Sequence, residues 1–282
     1  MSVDTALVQA STPRFGMIIV GDEILSGRRQ DKHFPKMIEL LSSRGLSLSW
    51  LRVLPDDRAI LTQALRETFA GDDLVFCCGG IGATPDDHTR QAAAAALGVT
   101  LALHPEAQAE ITQRCAEMAE TGQGSADMTL PENQRRLQMG TYPNGAEVIP
   151  NPYNRIPGFY IKRHAFVPGF PVMAWPMLEW VLDHHYAELH HPEVFDEQSF
   201  LAYDIPESRI TPTLEEIEKQ WPRVKAFSLP SMGDDRRARH IELGVKGPSE
   251  YLPAALAFLR EQALTLGAKI DPAVSRLGQP IG

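Results

Sequence analysis

The chain has 282 residues, 43% hydrophobic and 22% charged, which is ordinary globular usage with room for one large domain or two smaller ones and excludes wholesale disorder. A formal net charge of -9 repels nucleic acid and anionic membrane, so neither is expected as a main partner. Three cysteines, Cys77, Cys78 and Cys115, form neither a disulfide framework nor a zinc spacing, no stretch reaches the length of a membrane span, and the first residues lack the pattern of a secretory signal, so a reducing, cytoplasmic setting is expected.

Residues 1–14 read as an N-terminal tail. Phe15 to Val20 is a short apolar run and reads as a buried strand. Asp31 is placed to cap a helix whose apolar face is Phe34, Met37, Ile38 and Leu41, ended by Gly45. Leu46 to Val53 reads as a second strand, broken by Pro55-Asp56-Asp57. Ile60, Leu61, Ala64, Leu65 and Phe69 make the stripe of a second helix, and Leu74 to Cys78 a third strand, apolar throughout as a parallel strand covered on both faces should be. Thr89 to Leu97 is a strong helix former stopped by Gly98.

This β-α-β-α-β order predicts a mostly parallel sheet with helices on both faces. Farther on, His104-Pro105 opens a helix carrying Ile111, Cys115 and Met118, and Thr121 to Ser125 is a break. Asn144 to Gly158 reads as a stiff loop with at most a short strand at Glu147 to Ile149. Phe166-Val167 ends a core strand at Pro168-Gly169-Phe170-Pro171, and a helix follows that Pro176 kinks or restarts. Beyond, a β-α-β-β-α pattern forms a small α+β module. The expected division is a ligand-binding domain at 15–187, the small domain at 188–270 and a C-terminal tail at 271–282.

Chemistry concentrates after the third strand. Gly79, Gly80 and Gly82 permit positive φ and close approach of a ligand, Thr84 adds a hydroxyl, and the next helix can turn free N–H groups toward an anion. Asp86 and Asp87 would repel a phosphate unless a hard divalent cation, Mg or similar, lay between, and Asp56 or Asp57 could supply a further oxygen. The expected cation set is Asp56, Asp86 and Asp87, with Asp22 and Glu23 completing an acidic rim at the carboxyl ends of the strands, where open parallel sheets bind ligands. A plainer account stands beside this one: Gly-Gly turns after strands are common, and Asp before a helix is usually an N-cap. The segment is neither a Walker A loop nor a dinucleotide fingerprint.

Four motifs in order over roughly residues 15 to 185 resemble the CinA/MoaB/Mog family. They are Ile19 to Gly27 with Gln30-Asp31, Gly79 to Arg90, Asn151-Pro152 before Pro157-Gly158, and Pro168-Gly169-Phe170-Pro171. The small second module looks like the second domain of CinA-type proteins, and deamidation by the amidohydrolase domain of longer CinA proteins is not implied. The resemblance implies a MoaB/Mog-like fold, metal or molybdate chemistry at Asp56 and Asp87, a phosphate cradle at Gly79, Gly80, Gly82 and Thr84, further ligand contacts at Asp22, Glu23, Ser26 and Gly27, and a pocket-closing turn at Pro168 and Gly169. Ala83 departs from the usual proline of that pattern and His33 from its usual asparagine, though imidazole can replace an amide as donor or acceptor.

The leading expectation is a metal-dependent hydrolase of an ADP-ribose-type pyrophosphate, with Asp56 and Asp87 catalytic. The alternatives are a molybdopterin-binding role in molybdenum cofactor synthesis, or a non-catalytic nucleotide-binding regulator. The partner is then a small-molecule nucleotide or pterin, and family habit implies a homo-oligomer. His184, His185, His190 and His191 read as a polar helix end and hinge rather than a zinc site, and Arg236, Arg237 and Arg239 as a solvated turn. Trp175, Trp180 and Trp221 read as core or interface anchors.

Overall fold

The computed structural model describes residues 14–190, 195–233, 238–271 and 274–275. Residues 1–13 of the expected N-terminal tail, most of the C-terminal tail, His191, Arg236 and Arg237 lie outside the described residues. The chain divides after His190 into two compact units.

The first unit is α/β. Its strands and helices run β1 (Phe15–Val20), α1 (Asp22–Leu25), α2 (His33–Ser42), β2 (Leu48–Leu54), α3 (Arg58–Phe69), β3 (Leu74–Cys78) and α4 (Thr89–Leu97). They continue with β4 (Leu101–Leu103), α5 (Pro105–Glu120), α6 (Pro131–Gln138), β5 (Thr141–Pro143), β6 (Glu147–Ile149), β7 (Gly158–Ile161), β8 (His164–Val167) and α7 (Pro171–His185). Six strands form one sheet in the order β2-β1-β3-β8-β7-β6. The first four are parallel, and β7 and β6 add an antiparallel edge.

Strand residues alternate between two cores, as the pleat requires. Phe15, Met17, Ile19, Phe76 and Cys78 pack with Met37 and Leu41 of α2 and Leu178 of α7 on one face. Ile18, Val20, Val75 and Cys77 pack with Leu61 and Leu65 of α3 and Ala92 of α4 on the other. Continuous apolar runs in β1 and β3 thus follow from helices covering both faces.

Helix existence follows the sequence, but some helix faces are rotated. In α2 the buried positions are His33, Met37, Leu40 and Leu41, while Phe34, expected inside, is 38% exposed. In α3 Leu61, Ala64, Leu65 and Thr68 are buried and Ile60 is exposed. The short helix α1, the helix α6 and the strands β4, β5 and β7 were not foreseen. α6 has a strongly polar sequence with no apolar stripe, and β4, β5 and β7 are three or four residues long, too short to show a period. Pro176 sits inside α7 without dividing it.

The second unit has β9 (Phe195–Tyr203), α8 (Glu207–Gln220), β10 (Lys225–Ser231), β11 (His240–Pro248), α9 (Leu252–Thr265) and β12 (Lys269–Ile270). Its antiparallel sheet, ordered β10-β11-β9-β12, carries a core of Phe200, Leu243 and Val245 against Ile210, Ile217, Leu256 and Leu259 of the two helices. Among the described residues no helix is long and apolar enough to cross a membrane.

Candidate functional site

Parallel strands deliver their following loops to one edge, so the turns after β1, β2, β3 and β8 gather there. The turn after β1 runs directly into α1. The Gly21 amide donates to the Leu54 carbonyl at 3.1 Å, which extends the β1–β2 register into the turns. Next to it the Asp22 amide donates to the Asp56 carboxylate at 2.9 Å, and the Asp56 amide donates to the Asp22 carboxylate at 3.4 Å. Each aspartate so fixes the other's turn. Asp57 is the cap of α3, accepting from the Ala59 and Ile60 amides at 2.8 and 2.9 Å.

Charge gathers around Asp56. Burial raises its carboxyl above the usual aspartate range, the Asp22 amide opposes that, and the negative Asp22, Glu23 and Asp86 push it up further. Glu23 lies over Gly21, whose missing Cβ makes room for its carboxylate. Ser26 and Gly27 complete this turn: the Ser26 amide donates to the Asp22 carbonyl at 2.9 Å, and Gly27 adopts φ +69°. Asp22, Glu23 and Ser26 line a shallow depression with Leu25 and Arg28.

The glycine segment after β3 is held mainly by the protein itself. Gly79, at φ +111°, lies against the Val20 carbonyl, and Gly80, at φ +68°, against the Thr89 hydroxyl, so a Cβ at either would collide. The Gly79 amide donates to Val167 at 3.0 Å, and Thr89 returns two bonds, from its amide to Gly80 and from its hydroxyl to Gly79, both 3.0 Å. That uses the first N–H of α4, which sequence had offered to an anion. The next amides, of Gly80, Ile81 and Gly82, have no protein acceptor among the described residues and are the donors left for a ligand.

Thr84 and Asp87 close the segment. The Asp87 carboxylate accepts from the Thr84 amide at 2.8 Å and, on the same oxygen, from the Thr84 hydroxyl. The Thr84 hydroxyl is therefore engaged with protein, and α4 begins at Thr89, as the sequence predicts, with His88 before it. Asp86 is exposed, and its carboxyl is held below the usual range, with nearby Thr84 the largest influence and its own amide the next. Among the described residues no three His, Cys, Asp or Glu side chains come together as a metal-holding group. Asp56, Asp86 and Asp87 share a neighbourhood without forming a ready cage.

Two side chains here, Arg90 of the second motif and His33, noted in sequence only as a departure from the usual asparagine, were given no site role by sequence. Arg90 is almost fully buried, and its guanidinium donates to the carbonyls of Gly82 and Gln138, tying the glycine segment to the end of α6. The available signal was a single cation in an otherwise apolar, alanine-rich helix, a type of residue that is buried only when paired. His33, also buried, places its Nε2 3.0 Å from the Gly169 carbonyl. The Asp31 carboxylate accepts from the His33 and Phe34 amides at 3.0 and 2.9 Å, so it caps α2 as its position suggested. Gly169 rests near Gly79, bringing the Pro168-Gly169 turn beside the glycine segment.

Beside the Pro168-Gly169 turn and the start of α2 lies a cavity of about 330 Å³, which none of Asp22, Asp56, Gly79 to Asp87 or Arg90 lines. Its floor is Ile19, Val20 and Cys78, and its walls include Glu23, Arg29, Lys32, His33, Gly169 and Phe170. The Cys78 thiol is buried and pushed far from ionisation by desolvation, which makes it an inert part of the floor.

Residues 16–189 match the sequence profile of the family described as "Probable molybdopterin binding domain". A CinA-like protein of Anaeromyxobacter sp. (strain Fw109-5) is 32% identical over 250 residues, which cover 82% of this chain and 58% of that protein. The chain thus spans little more than half the length of that relative. A protein of Aeropyrum pernix is 28% identical over 273 residues, 95% of this chain and 96% of its own. The crystal structure of CinA from Thermoplasma acidophilum, described as of unknown function, aligns with a TM-score of 0.51 and 26% identity, covering 60% of this chain and 97% of that one.

Proposed function

The chain belongs to the family of probable molybdopterin binding domains that includes CinA, MoaB and Mog, and on that premise we propose that it binds a phosphorylated nucleotide at the carboxyl edge of its sheet and hydrolyses its pyrophosphate. The ligand class is the ADP-ribose type. The observation that carries the reading is Asp56, a carboxylate whose proton affinity is raised by burial and by Asp22, Glu23 and Asp86, at the edge where the unpaired amides of Gly80, Ile81 and Gly82 lie. A carboxylate so adjusted is suited to take a proton from an attacking water, while backbone donors hold the phosphate oxygens.

A divalent cation is part of this reading only as a partner to be tested. The carboxylates of Asp56 and Asp87 accept from amides and a hydroxyl, and among the described residues Asp56, Asp86 and Asp87 do not converge as a metal-holding set. A second reading has support in the family description itself: the same amides would hold the phosphate of molybdopterin, without hydrolysis. The test is incubation of the purified protein with ADP-ribose, FAD and molybdopterin-AMP, with and without a divalent metal, followed by chromatography for released AMP. Hydrolysis is expected for ADP-ribose. Cleavage of none, with tight binding of molybdopterin, would replace the first reading by the second.

A further inference from the structure

We propose that His33 is a specificity-determining residue of the cavity, whose Nδ1 accepts a hydrogen bond from an N–H on the edge of the ligand's heterocycle. The proposal rests on the reading that this edge of the sheet binds a nucleotide or a pterin, and it adds which part of that ligand the cavity reads.

His33 is one of the residues lining the cavity and is only 5% exposed. Its two nitrogens are not equivalent. Nε2 lies 3.0 Å from the Gly169 carbonyl oxygen, which can only accept, so Nε2 carries the proton. In the neutral ring Nδ1 then keeps a lone pair, and it is buried with no hydrogen-bond partner. A buried acceptor without a partner is costly, and such groups are rare in folded proteins. The tie to Gly169 fixes the tautomer, and the Asp31 carboxylate fixes the backbone at His33 from the other side, so the ring cannot turn easily to exchange its two nitrogens.

The rest of the cavity fits a flat, aminated ring. Ile19, Val20 and Cys78 give an apolar floor, and Phe170, 57% exposed, stands on the wall as an unused aromatic face. Arg29 and Lys32 line the same space beside Glu23 and Asp31, and their side chains are the donors there that can pair with a phosphate attached to such a ring. Adenine and pterin both present N–H groups at the ring edge, so the shared chemistry is a heterocycle with an exocyclic or ring N–H.

ADP-ribose and molybdopterin are titrated separately, by calorimetry, into the parent protein and into His33→Gln. The glutamine amide nitrogen can replace Nε2 at the Gly169 carbonyl but leaves no acceptor at the Nδ1 position. In parallel, the Nδ1 resonance of His33 is followed in ¹⁵N-histidine-labelled parent. The expected result is that whichever probe the parent binds is held about tenfold to a hundredfold more weakly by His33→Gln. The Nδ1 resonance should move upfield on saturation. Unchanged affinity in a folded His33→Gln, or an unmoved Nδ1 resonance in the saturated parent, would overturn the role of His33 while leaving the binding reading intact. Binding of neither probe by the parent would overturn the binding reading and this inference together. If His33→Gln does not fold, the Nδ1 resonance decides.

Discussion

Asp22 and Asp56 hold each other's backbone: the Asp22 amide donates to the Asp56 carboxylate at 2.9 Å and the Asp56 amide to the Asp22 carboxylate at 3.4 Å. They are 34 residues apart in sequence and meet because β1 and β2 end side by side. The pair sets two like charges together; the proton affinity of Asp56 is raised first by burial and then by the charges of Asp22, Glu23 and Asp86, against the lowering effect of the Asp22 amide.

Asp56→Asn keeps an oxygen for the Asp22 amide and removes the charge. Turnover of ADP-ribose is expected to fall by about 10² to 10⁴ if Asp56 takes the proton. Stability should hold or rise. A carboxyl raised above its unfolded value binds more protons in the native state just above that value, so its contribution to stability falls as pH rises through this window, and at neutral pH the charge is unfavourable. Parental turnover in Asp56→Asn would remove Asp56 from the reaction.

Asp87 separates shape from charge. In Asp87→Asn one oxygen can still accept from both Thr84 donors, so thermal stability should stay within about 0.5 kcal/mol of the parent. Asp87→Ala loses both bonds and should cost about 1 kcal/mol. If Asp87 holds a divalent cation for the hydrolysis, turnover is expected to fall at least about tenfold in both variants, since the charge is absent from both. Equal turnover in the parent and Asp87→Asn would leave Asp87 with the loop alone.

Arg90→Met fills similar volume but leaves the carbonyls of Gly82 and Gln138 without their donor. A loss of about 3 kcal/mol in urea unfolding is expected. Ligand affinity should fall as well, because the glycine segment loses its anchor to α6. A loss below about 0.5 kcal/mol would show that the carbonyls find water instead.

His164 should make the first unit sensitive to acid. Its Nδ1 lies 2.8 Å from the Lys162 carbonyl and its Nε2 2.8 Å from the Thr68 hydroxyl, and burial pulls its pKa down from 6.5 to about 4. A histidine lowered in the folded state stabilises above its unfolded value, and that stability is lost as pH falls from about 6.5 to about 4. The loss amounts to roughly 3 kcal/mol. Unfolding free energies of the parent and of His164→Gln, measured at pH 7 and at pH 4.5, should show the smaller drop in the variant. Equal drops would assign the acid sensitivity to other groups.

Sequence by itself determined the strands β1 and β3, the helix α4 and the carboxyl edge at which the motifs meet, because apolar runs, helix-forming composition and glycine stops act over a few residues. The stop at Gly98 is one case: a left-handed residue was required there, and glycine stands at φ +68°. What the motif residues do with one another was decided only by the tertiary structure. Gly79 and Gly80 are glycines because Val20 and Thr89 press against them, and Thr84 spends its hydroxyl on Asp87. His33 stood out in sequence as a substitute for the usual asparagine, but its partner, the Gly169 carbonyl 136 positions later, appears only in the fold. Periodicity cannot supply such facts, since it gives the face of an element but not the partner that covers it. In α2 even the face was rotated, because α7 and the sheet together choose which residues are covered, and they cover His33 and leave Phe34 in solvent.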